Sequence, residues 1–314
     1  MKKKKWFKSA ICLAVGVVTL TAAVFANYDN ANGYSVCKNA LKQVLYKDNY
    51  SMHYKMEVAL DGNSISSIEA EYKVNGGGNP KRYTSTVVNA YPDDGFYTES
   101  QIYQDGQIVS QSKSRNGDSY NVVYTDYNSA GTNDSLIGAM GDTGEKVINF
   151  LEALCDTFVG DLKNNFVLAQ SQEGNRTYTI DLKGNQMPDV VTAGVSLLVQ
   201  NMKTSMRYVE EDDDGGVDFM LYSSMFSGGE PYLDSVSGTM TVNADGLPTA
   251  AEGIATVFAV DADGKGHTLT FTIEGSASDY GTTVMEKLDL NSIPDLQYLN
   301  RMTVEVESEN GTWE

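Results

Sequence analysis

"VFAVDADGKGHTLTFTIE", residues 257–274, sets two aspartates and two glycines between two runs of alternating apolar residues. It is either a calcium loop or the bend of a β-hairpin, and the two readings send the chain toward different functions. An EF-type loop starting at Asp261 has Asp263 third and Gly266 sixth, as such loops require. It then has Lys265 at the fifth position and Thr272 where the bidentate acid belongs. A cation among the ligands and no closing carboxylate argue against calcium. The hairpin has support of its own. A two-residue Asp263-Gly264 turn pairs Val260 with His267, Phe258 with Leu269, Thr256 with Phe271 and Ile254 with Ile273, and leaves Thr268, Thr270 and Thr272 on the other face.

The same period of two recurs upstream. Met52, Tyr54, Met56, Val58 and Leu60 alternate with His53, Lys55 and Glu57, the signature of a half-buried strand. A three-residue loop, Asp61-Gly62-Asn63, keeps the partner strand in phase by pairing Met56 with Ile68 and Tyr54 with Ala70. Turn signals then follow at Asp94-Gly95, Asp105-Gly106 and Asn116-Gly117, between runs rich in Tyr, Val, Ile, Thr and Ser. Such punctuation describes an antiparallel meander. "FVLAQSQEGNRTYTIDL" reads as a further hairpin, turning at Glu173-Gly174-Asn175.

Three segments change to a helical period. Val36, Cys37, Ala40, Leu41, Val44 and Leu45 make one apolar stripe over residues 34–47. Val147, Ile148, Leu151, Leu154, Cys155, Phe158 and Leu162 make another over about 145–164. A third helix is expected over about 188–202, with Pro188 in its first turn. The final third returns to strands. The fold class expected is therefore α+β: a large, strongly curved antiparallel sheet with three main helices.

The N-terminus divides into a basic segment, residues 1–9, and an uncharged apolar segment, residues 10–26, ahead of one domain over residues 27–314. The apolar stretch has the length of either a short membrane anchor or a long signal-peptide core, with cleavage near Ala26 in the second case. Both readings export the domain, as a single-pass membrane protein with its N-terminus inside or as a secreted one. Cys37 and Cys155 lie in helical stripes and read as buried hydrophobes, with a bridge between them open.

Charge and composition exclude several functions. The first 26 residues hold five lysines and no acid, so a formal net charge of −19 for the whole leaves −24 on the rest. A surface of that sign repels nucleic acid and anionic headgroups. No nucleophile elbow, phosphate-binding glycine loop or His-Glu-x-x-His is present, and no cofactor is implied. The two histidines, His53 on the solvent side of its strand and His267 beside a turn, read as structural. The best metal candidate is "EEDDDGGVDFML", where Glu210, Asp212, Asp214 and Asp218 take EF-like positions, but Leu221 stands where the bidentate acid should be. A solvated acidic turn is the plainer reading.

Nineteen tyrosines and twelve methionines allow an apolar, adaptable surface for a lipid. The order of an export segment, a helix at 34–47, a meander, helices near 145–164 and 188–202, and a last meander to about 290 resembles the LolA-like fold of lipoprotein carriers. That resemblance is one of architecture and carries no motif. It implies a bent sheet closed by helices over an apolar cavity that binds acyl chains. The function expected is a non-catalytic extracytoplasmic domain that binds a hydrophobic ligand or senses the state of the envelope. A calcium-assisted surface module built on residues 210–218 and a carboxylate-dependent hydrolase are the alternatives.

Overall fold

The computed structural model describes residues 33–90, 95–114, 117, 119–125, 146, 149, 167–172, 174–186 and 227–300. Twelve strands form one sheet in the order β12-β6-β5-β4-β3-β2-β1-β11-β10-β9-β8-β7. The meander is β1 (Asn49–Leu60), β2 (Asn63–Asn75), β3 (Arg82–Ala90), β4 (Gly95–Gln104), β5 (Gln107–Ser114) and β6 (Ser119–Thr125). On the far side of β1 lie β11 (Gly266–Ser278), β10 (Pro248–Val260), β9 (Tyr232–Val242), β8 (Asn175–Lys183) and β7 (Val167–Gln172). All of these pairings are antiparallel. The last strand, β12 (Leu296–Asn300), joins β6 in parallel. The sheet is open, with β7 and β12 at its two edges.

One α-helix is present among the described residues, α1 (Gly33–Leu45). The stripe read from the sequence forms it: Cys37, Ala40 and Val44 are buried, and Val36 and Leu41 pack beside them. Its end tightens through Tyr46 N–H to Gln43 C=O and Lys47 N–H to Val44 C=O, and Lys42 sits in the last turn, where a cation suits the helix dipole. The helices expected near 145–164 and 188–202 lie outside the described residues, apart from Lys146 and Asn149, which are helical. The apolar segment 10–26 also lies outside them, as does Cys155. Cys37 is a free buried thiol.

The helix covers β8, β9 and β10. Tyr34, Cys37 and Ala40 join Tyr178, Ile180, Leu182, Leu233, Val236, Met240, Val257, Leu269 and Phe271 in the larger core. Each such aliphatic or aromatic side chain contributes about 1.5–3 kcal/mol through burial. A second core lies on the opposite face of β4, β5 and β6. There Ile102, Val109 and Val123 are covered by Leu288, Leu290, Ile293 and Leu296 of the C-terminal segment. The expected final meander to residue 290 is thus corrected: strands end at Ser278, and the chain then runs as a strap behind β1 to β6 before adding β12.

Buried and half-buried amides hold that strap. Gln104, only 1% exposed, donates to Leu288 C=O at 2.9 Å and accepts from Leu288 N–H at 2.8 Å, so one side chain replaces a strand partner. Asn49 accepts from Thr283 N–H at 2.9 Å, while Asn75 donates to Thr283 C=O at 3.0 Å. Asn121 donates to Pro294 C=O at 2.8 Å. A backbone segment with no strand neighbour there finds its hydrogen bonds in these side chains.

Two register expectations are corrected. Met56 pairs with Ile68 and Tyr54 with Ala70, as expected, but not through a three-residue loop. Asp61 and Gly62, both at positive φ, make a two-residue turn, and the odd residue is absorbed as a bulge at Ile65, which is buried in the larger core. The 257–274 hairpin is one residue out of the expected phase. Val260 pairs with Gly266, Ala259 with His267, Val257 with Leu269 and Ala255 with Phe271. Ala255, Val257 and Ala259 therefore face the helix side, and Ile254 is 45% exposed. The cause is Asp261. Its carboxylate accepts from Asp263 N–H and Lys265 N–H, and Asp261 N–H bonds Lys265 C=O, which makes residues 261–265 the loop. Small side chains inside also let α1 approach closely, while the Phe258 ring lies over Gly266, where a Cβ would come within 2.7 Å of it.

Candidate functional site

Because β1 and β11 are neighbours, the β1–β2 turn and the β10–β11 loop stand side by side. His267, the second residue of β11, lies between them and is 3% exposed. Its Nδ1 is 2.8 Å from Asp61 Oδ2 and its Nε2 is 3.2 Å from Asp261 Oδ2. Asp61 is bound further to β11: Thr268 N–H donates to its Oδ1 at 2.9 Å, and Asp61 N–H donates to Thr268 C=O at 2.8 Å. The loop's neighbour on its other side is Gly228, whose N–H donates to Val260 C=O. A Cβ at that position would fall 1.8 Å from Asp261 O, so the chain entering β9 rests directly on the loop.

This cluster is the convergence of histidine and carboxylate that the sequence alone does not show. Its electrostatics are those of a clamp. The Asp61 hydrogen bond and then the Asp261 hydrogen bond raise the imidazole pKa above its ordinary 6.5, against the cost of desolvation and the charge of Lys265. Desolvation pulls the Asp61 carboxyl up, but the Thr268 amide and His267 outweigh it, and its pKa falls below 3.8. The Lys265 amide, followed by His267, lowers that of Asp261. A carboxylate at each ring nitrogen favours the doubly protonated imidazolium, and in that form neither nitrogen can accept a substrate proton or bind a metal.

The other candidates are dispersed. His53 is exposed on the opposite face, 2.9 Å from Glu69. Glu210, Asp212, Asp214 and Asp218 lie outside the described residues, so the calcium reading there has no geometry. Among the described residues no group of three or more His, Cys, Asp or Glu side chains is arranged to hold a metal ion. Glu99 stands on the helix-side face of β4, where its Oε1 accepts from Gln101 at 2.8 Å and from Ser110 at 3.0 Å. Burial first, and Glu99 second, pushes the neighbouring Tyr97 hydroxyl up to about 12. Glu99 is the one carboxylate on that face among the described strand residues, so the two facing acids of a hydrolase are not assembled there.

The helix-side face keeps its apolar character past the larger core. Met52 of β1 and Tyr72 of β2 pack against a small cluster of Val44 (from α1), Tyr50 and Val74, and Tyr54 of β1, Ile68 of β2 and Tyr97 of β4 continue the face as half-buried side chains. Burial raises the Tyr54 hydroxyl pKa. At the end of the row Tyr50 is fully buried between Tyr72 and Tyr280, with ring centroids 5.9 and 6.3 Å away. Burial pushes the Cys37 thiol up to about 12, so it stays protonated and unreactive beneath the helix.

No protein family and no curated protein matches the chain. Among solved structures it is similar to an outer membrane lipoprotein-sorting protein domain from Vibrio parahaemolyticus, with a TM-score of 0.19 and 8% identity, over 82% of this chain and 94% of that one. It is also similar to MucB in complex with MucA(peri), with a TM-score of 0.12 and 9% identity, over 80% of this chain and 99% of that one. At these TM-scores the likenesses are weak and carry no argument about fold or function. No helix among the described residues is long and apolar enough to cross a membrane.

Proposed function

We propose that this chain is an exported, non-catalytic binding domain whose ligand is apolar, an acyl chain or comparable lipid moiety held against the helix-side face of β1, β2 and β4. The observation that carries this is the row of Met52, Tyr54, Ile68, Tyr72 and Tyr97, half-buried, on the same face as the larger core. Tyrosine and methionine suit the task because rigid rings give area at small entropic cost and thioethers adapt in shape. A basic, apolar N-terminus that directs export places such a face outside the cytoplasm, in contact with membrane-derived ligands or ready to report on them. The non-catalytic part rests on His267, whose two nitrogens are both engaged by carboxylates.

The magnitude of such binding is bounded. A methylene leaving water gains about 0.8 kcal/mol, so a dozen carbons covered on one side gain about 5 kcal/mol, submillimolar at best. Tighter binding requires the chain to be enclosed. Native mass spectrometry of the full chain, together with displacement of a fluorescent fatty acid, tests the reading. Co-purified acyl species and a loss of probe binding in Met52→Asp and Tyr54→Asp are expected. No co-purified lipid, with probe binding indifferent to both substitutions, contradicts it.

A further inference from the structure

We propose that the Asp61–His267–Asp261 bridge is a proton-operated latch: it ties the β1–β2 turn to the β10–β11 loop while the imidazole carries both ring protons, and releases one of them when a proton leaves. The geometry makes the device. A neutral imidazole has one N–H, so it satisfies one aspartate and turns a lone pair toward the other. His267 is 3% exposed and bridges the two tips, so the loss of either contact acts on the tie between them. The groups that face the ring are Asp61 from one tip and Asp261 and Lys265 from the other. Asp263 stands exposed in the same loop, and Glu230 belongs to the segment resting on it at Gly228. Leu60 and Ala259, which flank the ring's strand, carry no charge.

The sign follows from the two kinds of group. A histidine whose folded pKa is raised above 6.5 contributes fully below 6.5, and that contribution is lost as pH rises through the folded value. The aspartates, lowered from 3.8, contribute above 3.8 and lose that contribution as pH falls through their folded values. The latch is therefore complete between 3.8 and 6.5 and opens on the alkaline side. Opening frees the end of β1 and β11 and the chain entering β9, all of which border the helix-covered core.

The chain has two histidines, so His53→Gln assigns the resonances of the other. In the full chain, NMR titration of the imidazole carbons is expected to place the His267 midpoint above 6.5, with Asp61→Asn and Asp261→Asn each moving it down. Exchange of the Thr268 amide, corrected for its intrinsic pH dependence, should accelerate roughly tenfold between about pH 6 and about pH 9, and His267→Gln should abolish that dependence. A midpoint at or below 6.5, a midpoint unmoved by both asparagine variants, or corrected Thr268 exchange that ignores pH overturns the latch. Should an asparagine variant fail to fold, the wild-type titration and the Thr268 exchange decide alone.

Discussion

Phe271 and Ile102 are buried in the same sheet, but on opposite sides of it. Phe271 lies in the half formed by β8 to β11 and the adjoining end of β1, where α1 rests on β8 to β10 and closes the larger core. Ile102 lies in the half formed by β3 to β6, whose back face is dry because the C-terminal strap crosses it. The means of attachment differ as well. The helix docks chiefly by apolar contact, with Gln43 donating to Gly246 C=O at 3.3 Å, whereas the strap has no partner strand until β12 and is tied by the amides of Gln104, Asn49, Asn75 and Asn121. A single sheet thus carries separate cores on its two faces, with a smaller cluster of Val44, Tyr50 and Val74 beside the helix. The tyrosine row begins on β1 and β2, beside the helix-covered strands, and ends at Tyr97 on β4, in the half where the Glu99 cluster stands.

The comparison can be broken at several points. Phe271→Ala should cost about 3–5 kcal/mol in denaturant unfolding, while Val109→Ala beneath the strap should cost about 2 kcal/mol, since fewer methylenes leave a thinner cover. Equal losses would mean that the two cores are one cooperative unit of uniform packing. At the other extreme, Ile254→Thr on the exposed face of β10 should shift stability by no more than about 0.5 kcal/mol. A loss above about 2 kcal/mol there would restore the register in which Ile254 points inward.

That last position shows where sequence reading works and where it stops. Alternation in β1 and β2 was legible because large apolar residues occupy one parity and charges the other, and the pairing of Met56 with Ile68 follows from it. The first helix was legible from its stripe. In β10 both parities are apolar: Ile254, Phe258 and Val260 alternate with Ala255, Val257 and Ala259. Bulk favours the first set as core, but a helix resting close to the sheet requires the second, and an Asx turn at Asp261 moves the register to suit. The His267 cluster escaped for a related reason. Asp61 and His267 are 206 residues apart, and they meet only because β1 pairs with β11, a pairing no local pattern announces. The strap was invisible for the same reason, since Gln104 and Asn75 look like ordinary polar strand residues until a distant segment supplies their partners.

Hydrogen exchange on the Gln104→Ala variant tests the two-sided arrangement most directly. The substitution leaves Leu288 N–H and C=O unpaired at the strap, a local cost of about 1–3 kcal/mol. Protection should fall in β4, β5, β6 and residues 288–296 and remain unchanged in α1 and β8 to β11. Loss of protection in α1 to the same extent, or no loss anywhere in β4 to β6, would contradict the separation of the two cores.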